Sequence, residues 1–127
     1  MKLYALAVVK DEADIIAQSI HHALGFCDKV FVLDNGSSDD TWPIVEELSR
    51  VRPGEVIPFA VDTRPFERRM RGLMYDALRS KLTDQDWFLQ LDADEFLLED
   101  PRRALARANA KGHNRVRTWQ AQFQFTD

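Results

Sequence analysis

Three carboxylates fall within four residues at Asp92-Ala93-Asp94-Glu95, directly after the apolar run Trp87-Phe88-Leu89-Gln90-Leu91. Ionised carboxylates this close repel one another, and burying them unpaired is costly. A positive partner is expected there, and a divalent cation is the natural one. Magnesium and manganese take oxygen ligands and often carry a phosphate on their other side. The plain alternative is a solvated acidic turn after a strand. Two more polar clusters follow apolar runs: Lys10-Asp11-Glu12 with Asp14, and Asp34-Asn35-Gly36-Ser37-Ser38-Asp39-Asp40-Thr41. Arg64, Arg68, Arg69 and Arg71 add guanidinium groups, which suit diphosphate oxygens. Helical spacing sets Arg64, Arg68 and Arg71 on one side; a solvated basic helix face is the competing reading. His21, His22 and His113 give no zinc-ligand pattern, and Trp42, Trp87 and Trp119 read as core or surface anchors.

The elements that hold these clusters can be read from periodicity. Residues 3–9, 29–33, 55–61 and 87–91 are short apolar runs of strand length. Trp119, Ala121, Phe123 and Phe125 alternate with glutamines, which predicts a fifth, half-buried strand. A helix is expected up to Leu24, with Ile15, Ile16, Ile20, Ala23 and Leu24 inward and Gly25 as its stop. Pro43 fits the first turn of a second helix capped by Asp40 or Thr41, with Ile44, Val45 and Leu48 inward and Pro53-Gly54 ending the unit. A third helix is expected from Pro65, burying Phe66, Met70, Leu73, Met74, Ala77, Leu78 and Leu82. Asp100-Pro101 reads as the cap and first turn of a fourth helix ending near Gly112. The order β-α-β-α-β-α-β-α-β predicts an α/β, three-layer α-β-α fold with a mostly parallel sheet. In such sheets ligands bind beyond the carboxyl ends of the strands, where all three polar clusters fall.

The chain has 127 residues, 45 % of them hydrophobic, enough for one domain with a core. A formal net charge of -4 argues against nucleic acid as a partner. No stretch approaches the ~20 apolar residues of a membrane span, and the N-terminus lacks the pattern of a signal peptide. Cys27 is the one cysteine, so no disulfide framework exists and a reducing cytoplasm is the expected compartment.

Val9-Lys10-Asp11-Glu12-Ala13-Asp14-Ile15-Ile16, then Leu33-Asp34-Asn35-Gly36-Ser37-Ser38-Asp39-Asp40-Thr41, then the Asp92-Ala93-Asp94-Glu95-Phe96 segment resemble family 2 glycosyltransferases of the GT-A fold, with its Rossmann-like nucleotide-binding half. The last segment is similar to the subgroup whose motif reads Asp-x-Asp-Glu-Phe. The resemblance implies a nucleotide-diphosphate-sugar site, with UDP-sugar as donor and Mn2+ or Mg2+ as cofactor. It places the base on Asp34, with Asn35 and Gly36 shaping the turn, and base and ribose beside Lys10, Asp11 and Glu12. It places the ribose or a metal-bound water on Asp92, next to Ala93, and the cation on Asp92, Asp94 and Glu95. An arginine near the third helix would hold the diphosphate; Arg69 and Arg71 are the candidates. Phe96 reads as core.

Complete members of that family are about twice this long, and their second half builds the acceptor site. Residues 1–127 therefore read as a single donor-binding domain without that half, no general base is assigned, and Asp127 is given no catalytic role. The sheet edge such a truncation leaves open predicts self-association. Two other readings compete: a nucleotide-binding fragment without turnover, and a receiver domain with Asp34 as phosphoacceptor. The second leaves the Asp92 cluster unexplained and offers no lysine at the end of the fifth predicted strand.

Overall fold

The structure is a computed structural model and describes residues 1–118; the strand expected at 119–125 and Asp127 lie outside the described residues. Four strands, β1 (Leu3–Val9), β2 (Lys29–Asp34), β3 (Val56–Val61) and β4 (Trp87–Leu91), form one sheet in the order β3-β2-β1-β4, with every neighbouring pair parallel. The helices are α1 (Ile16–Leu24), α2 (Thr41–Val51), α3 (Arg69–Leu78) and α4 (Arg102–Ala110), and a 3-10 turn, Arg79–Lys81, follows α3.

The inner strands β1 and β2 are buried almost without interruption, as parallel strands covered on both faces are. Alternating side chains of β1 feed two cores. Leu3, Ala5, Ala7 and Val9 pack with Ile16 and Ile20 of α1, Val45 of α2 and Leu105 of α4. Tyr4 and Leu6 pack with Phe31, Leu33 and with Met70, Met74 and Leu78 of α3. Three helices thus cover one face and α3 covers the other, giving the three-layer α-β-α arrangement. The chain winds outward from β1 through β2 to β3, then returns to place β4 on the opposite side of β1. The strand order therefore reverses beside β1, which is where open sheets of this type leave a crevice. At the amino edge the sheet is closed by side chains: Arg102 Nε donates to the Phe26 carbonyl (2.7 Å) and Trp87 Nε1 to Asn109 Oδ1 (3.0 Å).

Several local expectations are corrected. The third helix begins at Arg69 rather than near Pro65, so its inner stripe is Met70-Met74-Leu78, with Leu82 packed on the same core beyond its end. Phe66 (54 % exposed), Leu73 and Ala77 face outward, because a helix on one side of a sheet buries a single narrow stripe. Arg64 lies in the loop before α3 and shares no helix face with Arg68 and Arg71. Gly25 ends α1 with φ -64, a helical value, so the stop does not use the left-handed freedom of glycine. Neither Asp40 nor Thr41 caps α2 with its side chain; the Thr41 N–H donates to Asp39 Oδ1 (2.9 Å). Phe96 is exposed, its ring against His22 at 5.2 Å, because its neighbour Leu97 is the residue of this loop that packs against the core.

Met74 is fully buried, so Met74→Ala is expected to lower the unfolding free energy by about 2–5 kcal/mol, measured by urea denaturation. Burial pushes the Cys27 thiol from its ordinary value near 9 up to about 12. The folded state therefore keeps the proton that the unfolded chain loses. The stabilising contribution is complete below pH ~9 and is lost as pH rises toward ~12. Iodoacetamide at pH 8 is expected to leave the native thiol unmodified and to label it in urea.

Candidate functional site

The sheet order sets charged residues side by side along the carboxyl edge: Asp62 just after β3, Asp34 at the end of β2, Lys10, Asp11 and Glu12 after β1, and Asp92 and Asp94 after β4. Each sits at or just beyond the carboxyl end of its strand.

Asp34 is 2 % exposed. Its Oδ1 accepts the N–H groups of Gly36 (2.8 Å) and Ser37 (2.7 Å), which folds the turn after β2. Its Oδ2 is buried and has no hydrogen-bond partner among the described residues. A buried carboxylate oxygen without a donor costs free energy unless a ligand supplies one. Gly36 turns with φ +86, a region open to glycine, and a Cβ there would meet Thr63 at 3.5 Å. Asn35 commits both amide hydrogens to carbonyls of the neighbouring loop, those of Asp62 and Arg64, each at 2.7 Å. The structure thus uses Asn35 as a clamp between the β2 and β3 ends.

A second clamp joins the β1 and β2 loops. Asp11 Oδ1 accepts from the Ser38 N–H (2.7 Å), the Ser38 hydroxyl (3.2 Å) and the Asp39 N–H (3.3 Å), while the Asp11 N–H donates to Ser37 Oγ (2.9 Å). Asp11 has φ +53, uncommon for any residue but glycine and tolerated best by short polar side chains. Thr41 Oγ1 accepts the Glu12 N–H (2.8 Å) and Asp39 Oδ2 accepts the Ala13 N–H (3.2 Å). The hydroxyl of Thr41 holds the Asp39 carboxyl below the usual carboxylate range.

Toward β4, Arg71 Nη2 forms an ion pair with Asp92 Oδ1. Arg69 pairs with Glu67 of its own segment and stays exposed; of the two candidate arginines, only Arg71 meets the acidic motif. Glu12 holds its proton more tightly than an ordinary glutamate, first because it is partly buried and next because Asp94, Asp14, Asp39 and Asp11 face it. Asp94, after β4, and Glu12, after β1, therefore lie in one negative field. Among the described residues no group of three or more carboxylates, imidazoles or thiolates is drawn together as a metal cage. Magnesium-type ions need none, since one or two carboxylates with phosphate oxygens suffice. The mutual repulsion of Asp94 and Glu12 is the feature such an ion would relieve.

Asp62 is not among the residues singled out from the sequence. Its carboxylate accepts from the Arg64 side chain and backbone, and that guanidinium lowers it to about 2. The available signal is its position: it follows the third apolar run as Asp34 follows the second. The clamps Asp39–Ala13 and Asp11–Ser38 have no local signal, because their partners lie on different loops.

The family model for Glycosyl transferase family 2 matches residues 5–116. An uncharacterized glycosyltransferase of Rickettsia felis is 30 % identical over 99 residues, which are 78 % of this chain and 31 % of that protein. One from Rickettsia conorii is 28 % identical, with the same 78 % and 31 % coverage. The chain therefore spans about a third (31 %) of the length of the curated relatives it matches. Among solved structures, the mannosyltransferase PcManGT from Pyrobaculum calidifontis in complex with GDP-Man and Mn2+ superimposes with a TM-score of 0.62 at 18 % identity, covering 84 % of this chain and 31 % of that one. S. aureus TarS gives 0.53 at 17 % identity, covering 87 % and 20 %. At these identities the two structures establish the fold, which is the GT-A type.

Asp11→Ala places a Cβ residue without a polar head at φ +53 and removes the acceptor of three donors. It is expected to cost about 1–3 kcal/mol in urea denaturation. Asp11→Asn, which tolerates the conformation and keeps an acceptor oxygen, is expected to recover most of it.

Proposed function

The chain belongs to glycosyl transferase family 2, and on that premise we propose that residues 1–127 form the donor-binding part of a metal-dependent glycosyltransferase that takes a UDP-sugar. The observation that carries the reading is the pair of unmet electrostatic demands on one edge of the sheet. Among the described residues, Asp34 Oδ2 has no donor at one end, and the Asp94 carboxylate faces Glu12 with no ion pair of its own at the other. A nucleoside diphosphate with its divalent ion supplies both, the base at the first and the diphosphate-bound cation at the second.

The choice of base follows from the single free oxygen. Uracil presents one imide N–H, which one acceptor satisfies. Guanine presents two adjacent donors, which call for both oxygens of one carboxylate, and Asp34 Oδ1 is already taken by two backbone N–H groups. Oδ2 is shielded from water in the ligand-free chain, so the base reaches it only as its cover moves aside. Lys10, at the end of β1 between these poles, borders the ribose. Asp94 holds the Mn2+ or Mg2+ ion, with Glu12 and Glu95 beside it. When bound, the ion stabilises the charge that grows on the departing diphosphate. The sugar and its acceptor are left open by this reading. PcManGT, the neighbour seen with GDP-Man and Mn2+, supports a nucleotide sugar with a divalent ion and bears on guanine as the competing base.

No helix among the described residues is long and apolar enough to cross a membrane. We assign the chain to a reducing cytoplasm, consistent with its free, buried Cys27. Self-association would use an outer strand of the sheet, β3 or β4.

In a thermal-shift titration, UDP with Mn2+ is expected to raise the melting temperature by several degrees, since a ligand at 100 times its Kd stabilises by about 2.7 kcal/mol. Asp94→Ala is expected to abolish the shift. Equal shifts with GDP would overturn the uracil assignment, and no shift with any nucleotide and metal would overturn the reading itself. Hydrolysis assays over UDP- and GDP-sugars separate a transferase from a donor-binding fold without turnover.

A further inference from the structure

The two aspartates of Asp92-Ala93-Asp94 stand in different electrostatic settings. Asp92 faces α3, where the Arg71 guanidinium pairs with its Oδ1. Asp94 is exposed, has no arginine or lysine within ion-pair distance among the described residues, and casts its field on Glu12 of the β1 loop. Ala93 between them is buried in the core, and the Glu95 N–H closes the turn onto the Asp92 carbonyl (3.0 Å), which fixes the backbone that joins the two aspartates. Arg71 is equally constrained. Its neighbours Met70 and Met74 are buried against the sheet, which sets the rotation of α3. Its own side chain is only 18 % exposed, against 48 % for Asp92. Leaving the charge of a guanidinium in that setting unmet would be strongly destabilising. A divalent ion that engaged Asp92 would have to expel Arg71 or sit beside its positive charge.

Resting on the donor-site reading above, we propose that Arg71 is a positioning residue that divides the work of the acidic motif. It neutralises Asp92 within the chain and leaves Asp94 as the carboxylate that carries the divalent cation. Charge compensation by Arg71, and not the order of the two aspartates alone, decides where the ion sits.

Manganese binding to the whole chain without nucleotide, followed by the electron paramagnetic resonance signal of free Mn2+, tests this. The wild-type chain is expected to show one weak site that Asp94→Asn removes. In Arg71→Met the released Asp92 joins Asp94, and Mn2+ should bind about tenfold tighter, a second carboxylate having been added. Adding Asp92→Asn to that variant should return the affinity to the wild-type value. Arg71→Lys, which keeps the charge, should bind Mn2+ as the wild type does. Circular dichroism confirms folding, and Arg71→Gln carries the same comparison if Arg71→Met does not fold. An unchanged or weaker affinity in Arg71→Met or Arg71→Gln, or a Lys variant as tight as the Met variant, would overturn the role of Arg71. If UDP with Mn2+ fails to stabilise the wild-type chain, the donor-site reading falls and this inference with it. If that stabilisation is present and the Arg71 variants are neutral, only the inference falls.

Discussion

Burial on both faces of a parallel sheet is the constraint from which the site follows. β1 and β2 have no polar face to offer, since one side chain in two meets α1, α2 and α4 and the other meets α3. Ionisable groups can stand only where the strands end, and because all four strands run the same way, those ends are brought to one edge. Asp62, Asp34, the Lys10 loop and Asp92 become neighbours through the packing of apolar residues far from any of them. The chemistry of the edge is a by-product of hydrophobic burial, with the negative charge concentrated there as its cost.

That concentration is managed by clamps. Asp11, Asp39 and Asn35 each commit hydrogen bonds to the adjacent loop, so that the β1 loop is tied to the β2 loop and the β2 loop to the β3 loop. Exposed ion pairs such as Arg64 with Asp62 are too weak to set this geometry alone, since surface ion pairs contribute little. Directed bonds to backbone N–H groups hold the loops instead, and the positive φ of Asp11 shows the conformational cost accepted for it. What the clamps leave unsatisfied, one oxygen of Asp34 and the repulsion between Asp94 and Glu12, is then a property of a preset surface.

Much of this is legible in the residues. The runs at 3–9, 29–33 and 87–91 declare themselves as strands because continuous apolar character over so few residues fits a doubly covered strand. The acidic segments after them mark the ligand edge by the strand-end rule. The same rule applied to residue 61 points to Asp62, which takes the Arg64 guanidinium. Pattern alone starts α3 too early because Phe66 continues the three- and four-residue spacing of Met70 and Met74. The spacing does not reveal that the sheet offers only one narrow stripe of contact. Phe96 reads as core by its type, yet the loop after β4 leaves it against His22 at the surface.

Within residues 1–118 the sequence by itself determined the four strands and four helices, their order, the three-layer fold and most of the residues able to do chemistry, because each of these depends on short-range pattern: side-chain period, apolar run length and polar strand ends. The tertiary structure alone decided which of those residues act together. Strand order set Asp34 between Asp62 and the β1 loop, and helix rotation gave Arg71 rather than Arg69 to Asp92. The physical reason is that pairing across loops depends on where separate elements pack in space, and no spacing along the chain encodes a distance between residues 21 positions apart.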